Sequence, residues 1–188
     1  MTGLSNSILL SLKNNDPAAM ELLFHHHWEA VFDAAFKKLG DEALAQDISQ
    51  EIFISMWENR ATLHIEGSIA GYLHGAVKYR VINHYRMQAM REGHYAAIGY
   101  LMDQQTSTDS DSKLKLADAE MEIDRAMNLL PARMRQLISM SKRQDRSIRE
   151  IADELGISTQ TVKNQLSAAM KILKENLSYL LFLILFLS

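Results

Sequence analysis

The sequence predicts an all-α protein made of two small helical domains joined by a flexible acidic linker. Three observations carry this reading. Apolar residues recur at three- and four-residue steps in both halves, and no stretch sustains the apolar–polar alternation of a strand. Two prolines and eight glycines in 188 residues are too few for a β-sandwich, which needs a turn about every 8–12 residues. Between Asp103 and Lys113 there is no apolar side chain, so nothing there offsets the entropy of ordering. A hydrophobic fraction of 47% supplies a core on either side. The expected division is 1–102, a linker at 103–113, a second domain at 114–178 and an apolar tail at 179–188.

The elements follow in order. Met1 to Asn15 lacks a charged start followed by an apolar run, so no signal peptide is expected. The absence of cysteine removes disulfides and thiolate metal sites, and the two features together point to a cytoplasmic protein. Asp16-Pro17 supplies an N-cap and a first-turn proline, and Gly40 stands where a C′ glycine belongs. The helix between them carries Met20, Phe24, Trp28, Val31, Phe32, Ala35 and Leu39 on one face. Asp41 caps a second helix through about Glu58, with Leu44, Ile48, Ile52, Phe53 and Met56 inward. Gly67-Ser68 opens a third, from Ile69 to about Met90. After the linker come helices at Leu114–Asn128, after Pro131, at Ser147–Leu155 and from Ser158 to about Leu177. Tyr179 to Leu187 is unbroken in apolar and aromatic residues, but a bilayer span needs about 20. We read it as a terminal helix turn docked in a groove of its own domain, rather than as a peg for a partner.

Ser147 to Val162 has the pattern of a helix-turn-helix. Ile151, Leu155, Ile157 and Val162 are spaced to hold two short helices at a steep angle, and Ala152 is small where the second passes close. Gly156 falls where the turn needs positive φ, and Ser158 can cap the second helix. Val162, Leu166, Ala169 and Leu173 turn inward, which leaves Thr159, Gln160, Thr161, Lys163, Asn164, Ser167 and Lys171 outward or flanking. Gln and Asn can pair with adenine, Lys can reach guanine or phosphate, and Thr can pack on a thymine methyl. The alternative is a helical hairpin with a solvated polar face. Charge favours DNA: from Asp124 onward ten basic residues face six acidic ones, although the whole chain carries −3.

The first half offers two surfaces. Asp47, Gln50, Glu51, Ile54 and Glu58 share one side of a helix, which fits a solvated acidic face or a docking face. Tyr72, Tyr79, Asn83 and Arg86 form one stripe of the next helix, with Lys78, Arg80 and Arg91 nearby. Stacking rings among phosphate neutralisers suit single-stranded nucleic acid. The same stripe also fits tyrosines half-buried against a neighbouring helix. His25-His26-His27 is no metal site on this reading, because consecutive helical residues point about 100° apart. No nucleophile–base set, phosphate loop or cofactor motif is present, so neither an enzyme nor a small-molecule substrate is expected.

Asp47-x-x-Gln50-Glu51-x-Phe53-x-x-x-Trp57, the Tyr72-Leu73 helix start, the linker, Leu130-Pro131 and the helix-turn-helix stand in that order. Together they resemble a bacterial sigma factor of the sigma-70 family, in its extracytoplasmic-function (ECF) group, over about Ala18 to Leu177. The oily ending resembles those of Bacteroidetes sigma factors. The resemblance implies a region 2 domain that binds core RNA polymerase and the −10 element, and a region 4 domain that binds the −35 element. On that basis Asp47, Gln50, Glu51 and Glu58 face polymerase, with Phe53 and Trp57 holding their helix in the domain. Ala61–Ser68 corresponds to a loop that holds an extruded −10 base. Tyr72, Lys78, Tyr79, Asn83 and Arg86 face −10 DNA. Thr159, Gln160, Thr161, Lys163, Asn164 and Lys171 face the −35 duplex. A membrane-bound anti-sigma factor is implied as a further partner. Gln165, Ala168 and Met170 stand where many relatives carry arginine, and Tyr79 where asparagine is frequent, so no promoter sequence carries over. The rival readings are a helix-turn-helix regulator that binds an operator without polymerase, and a helical scaffold.

Overall fold

Caps set the helix limits in this chain, as the computed structural model shows; it describes residues 2–95, 99 and 113–187. Among these, nine α-helices form: α1 (Thr2–Lys13), α2 (Pro17–Leu39), α3 (Glu42–Glu58), α4 (Ile69–Glu92), α5 (Lys113–Leu129), α6 (Ala132–Lys142), α7 (Ile148–Leu155), α8 (Thr159–Asn176) and α9 (Tyr179–Leu187). No strand occurs among the described residues. The Asp16 carboxylate accepts the Ala18 N–H at 3.0 Å and Asp41 accepts that of Leu44 at 2.9 Å, each satisfying a donor with no partner in its helix. Gly40 ends α2 in the left-handed region at φ 66°. Ser68 accepts the Gly71 N–H at 3.0 Å and starts α4.

Packing divides the chain between Val81 and Ile82, inside α4, and each unit has its own core. The linker expected at 103–113 lies outside the described residues except for Lys113, which opens α5. In the first unit α2 and α3 are the main pair. Phe24 stacks on Trp28 at 4.8 Å between ring centres and meets Phe53 edge-on at 5.1 Å. Phe24 and Trp28 are half-buried, and Phe53 is buried with Phe36, Ala45, Ile52, Met56, Leu73 and Val77. α1, over which no helix was expected, joins this core through a fully buried Leu12. Leu4, Ile8 and Leu12 recur at four-residue steps there, a short periodic signal that the sequence reading passed over.

The second unit is built on α5 to α8. Leu137, Ile151, Val162, Ala169 and Leu173 are its buried centre. α9 is a helix, with Phe182, Leu183, Phe186 and Leu187 buried. The same unit contains Ile82, Tyr85 and Ala89 of α4, also buried. The Tyr179 hydroxyl donates to the Tyr85 carbonyl at 3.1 Å, and Phe182 meets the Tyr85 ring at 6.2 Å. Glu122 accepts the Ser178 N–H at 2.8 Å, placing a carboxylate at the N-terminus of α9, where the helix dipole favours it.

Candidate nucleic-acid and polymerase interfaces

On α3, Asp47, Gln50, Glu51, Ile54 and Glu58 are exposed together. Ile54, an apolar side chain 55% exposed amid carboxylates, is the unusual member. The opposite side is buried through Ala45, Ile48, Ile52 and Met56, and the flank is held by buried Phe53 and half-buried Trp57, whose ring lies 4.2 Å beneath the Arg60 guanidinium. Arg60 also donates to the Trp57 carbonyl and to Asn15 Oδ1, both at 2.7 Å. One carboxylate of the outward face is already engaged: Glu51 forms an ion pair with Arg80 of α4. Arg80 also donates to the Glu51 carbonyl at 3.3 Å. This differs from the sequence reading, which grouped Arg80 with the phosphate neutralisers; the nearby carboxylate competes for it.

The Ala61–Ser68 loop is anchored by buried Leu63, a residue the sequence reading did not single out, while His64 and Glu66 stay outside. Gly67 carries φ 89°, a conformation that glycine adopts without strain. Beyond the loop, the α4 stripe is mixed. Tyr79 is 60% exposed, whereas Tyr72, Lys78, Asn83 and Arg86 are half-buried. Both readings of the stripe thus have a residue in their favour. Asn83 Oδ1 is buried with no hydrogen-bond partner among the described residues, a state that ordinarily costs about 1–3 kcal/mol. The His26 and His27 rings, 4.7 Å apart on α2, lie away from these surfaces in sequence; burial, then the neighbouring His26, lowers the His27 pKa.

The helix-turn-helix is fixed by hydrogen bonds at each corner. Ser147 and Glu150 form a reciprocal capping box at the start of α7. Gly156 ends that helix at φ 62°, and the Ile157 N–H returns to the Ala152 carbonyl at 3.0 Å. Ser158 caps α8 through the Thr161 N–H at 3.0 Å. With Val162, Leu166, Ala169 and Leu173 buried, α8 leaves Thr159, Gln160, Asn164 and Lys171 exposed and Thr161 and Lys163 half-buried. Gln160 donates to Asn164 Oδ1 at 3.1 Å, so these two amides form one preset pair on the outer face. The Thr161 hydroxyl shares a hydrogen bond with Ser158 at 2.8 Å, so its polar end serves the cap. Arg149 is exposed on α7 and is the basic residue that the groove-facing list missed. Its signal was present in the sequence, since the first helix of such a motif crosses the phosphate backbone.

Residues 23–91 match the family described as "Sigma-70 region 2", and residues 120–173 match "Sigma-70, region 4". The chain belongs to the sigma-70 family. Two relatives place it in the ECF group. The "ECF RNA polymerase sigma factor SigF" of Caulobacter vibrioides is 29% identical over 138 residues, 70% of each chain. The "ECF RNA polymerase sigma factor SigL" of Mycobacterium tuberculosis is 26% identical over 169 residues, 88% of this chain and 92% of its own. Neither relative supports the Bacteroidetes likeness read from the tail. Sigma factors are not enzymes. Region 2 runs from α2 to near the end of α4, and its last ten residues are those that pack in the second unit. Region 4 contains the whole helix-turn-helix.

Proposed function

We propose that this sigma factor directs core RNA polymerase to promoters, with α3 docking on polymerase, α4 and the Ala61–Ser68 loop engaging the −10 element, and α8 entering the −35 major groove. The observation that carries the reading is the capped α7–α8 turn, which presents the Gln160–Asn164 amide pair outward in a chain whose other half matches region 2. On α3, Asp47, Gln50 and Glu58 with exposed Ile54 are the polymerase-facing set, and Glu51 joins them through its ion pair. Tyr72, Lys78, Tyr79, Asn83 and Arg86 form the −10 face; Thr159, Lys163 and Lys171 flank the amide pair. A membrane-bound anti-sigma factor covering these faces is the second part of the proposal. No described helix of the chain itself is long and apolar enough to cross a membrane.

In-vitro transcription with purified core polymerase tests the first part. Promoter-specific transcripts are expected. Operator binding without any polymerase-dependent transcript would instead favour a plain helix-turn-helix regulator. For the α3 face, Asp47→Arg is a cleaner variant than Glu51→Arg, because the latter would set a second guanidinium against Arg80. Asp47→Arg should reduce capture of core polymerase while leaving thermal unfolding unchanged. Undiminished capture removes Asp47 from the contact.

A further inference from the structure

We infer that α9 is an intramolecular clasp, which holds the C-terminal half of α4 against the region 4 helices in the free protein and releases it when polymerase and promoter bind. The contacts are specific at both ends. Towards α4, the Tyr179 hydroxyl donates to the Tyr85 carbonyl at 3.1 Å, the Tyr179 and His94 rings stack at 4.4 Å and 13°, and Phe182 meets Tyr85. Towards region 4, Lys142 of α6 donates to the Phe186 carbonyl at 3.1 Å and lies 4.5 Å over its ring. Glu122 of α5 holds the backbone entering α9. One nine-residue helix thus touches both parts of the second unit.

The clasp seats Phe182, Leu183, Phe186 and Leu187 but leaves its other side open. Tyr179, Leu180, Leu181, Ile184 and Leu185 remain partly exposed, and Leu185 lines an open groove of about 470 Å³ beside α5 and α6. Its anchor on α4, Tyr85, lies between Asn83 and Arg86, two members of the proposed −10 face. A closed clasp is therefore incompatible with simultaneous promoter contacts, and this step rests on the functional reading above. The two elements are centred about 25 base pairs apart by their names, or ~85 Å at ~3.4 Å per pair. At ~1.5 Å per residue, Tyr72 to Arg86, α9 and α8 laid end to end fall short of that. The tail must leave α4, α6 or both.

Hydrogen exchange on the full chain reads the clasp directly. In the free protein, 82–92 and 180–187 should be protected together; on binding core polymerase and a promoter fragment, 180–187 should lose protection while 82–92, helical in both states and passing from the tail to DNA, keeps it. Absence of protection at 180–187 in the free protein overturns the proposal, and so does equal protection in the two states. A second arm uses the absence of cysteine: His94→Cys with Tyr179→Cys gives one thiol pair in the chain, joined by a short bismaleimide. The uncoupled double variant should transcribe, and the coupled one should lose promoter-specific transcription. Equal transcription from both overturns release. If the wild-type chain gives no transcript at all, the functional reading fails, while free-state protection still decides whether the clasp exists.

Discussion

Gly156 is held at φ 62° and ψ 36°, and a Cβ placed on it would meet no atom within 4 Å. Its role is therefore conformational, and space is not the constraint. Gly156→Ala should lower stability by about 1–2 kcal/mol, the ordinary cost of a left-handed L-residue, readable as a shift in a urea midpoint without a change in slope. The reason this residue was legible in the sequence is that only the turn demands it. Gln160 and Asn164 were legible as outward polar residues, but their mutual hydrogen bond was not, because rotamers are not written in spacing. That bond gives a coupled prediction. Asn164→Ala should cost about 1–3 kcal/mol at DNA carrying a −35 element if it pairs with a base, measured by holoenzyme binding. Equal loss on a scrambled −35 element would reduce its role to phosphate positioning. Arg80 and Glu51 show the opposite limit: residues 29 apart met only through the fold.

At the scale of elements, helices with side-chain caps were readable to within a residue or two, since Asp16, Asp41, Ser147 and Ser158 each leave a local chemical signature. α1 has Leu4, Ile8 and Leu12 on one side but only a short run of them, and it went unread. α9 was readable as a short docked helix, but its seat on Tyr85 was not, because a uniformly apolar segment has no face to orient it. Phe182 is 1% exposed, between Tyr85 and Phe186. Phe182→Ala should destabilise the second unit by about 3–5 kcal/mol. Thermal unfolding followed separately in the two units, by exchange at 20–60 and at 160–175, should show the loss in the second only.

For the whole molecule, the net charge of −3 describes neither half. The region 4 side is modestly basic and the remainder acidic, so binding of the free chain to duplex DNA should be weak and should weaken further with salt. Titration adds a second global property. Burial, then the charge of Glu92, pushes the Tyr179 hydroxyl up from 10.0 to about 12; burial, then Tyr179, pushes Tyr85 higher still. A raised folded-state pKa favours the protonated phenol, so this stabilisation is complete below pH about 10 and is lost as pH climbs towards 12. The part of the tyrosinate absorbance that Tyr179→Phe removes should therefore rise together with loss of protection at 180–187. Appearance of that part near pH 10.0, with the tail still protected, would contradict that linkage.

The Glu51–Arg80 pair bears on the thermodynamics of polymerase docking. Where a cation arriving at Glu51 from outside displaces the guanidinium already there, the number of ion pairs is conserved and little net energy is available from the exchange. Such a contact discriminates between partners more than it tightens any of them. It also sets Arg80 free on the helix proposed to face melted DNA, where a phosphate could take the place of the lost carboxylate. Occupancy of α3 and the cationic character of α4 would then rise together, a positive linkage carried by a single side chain.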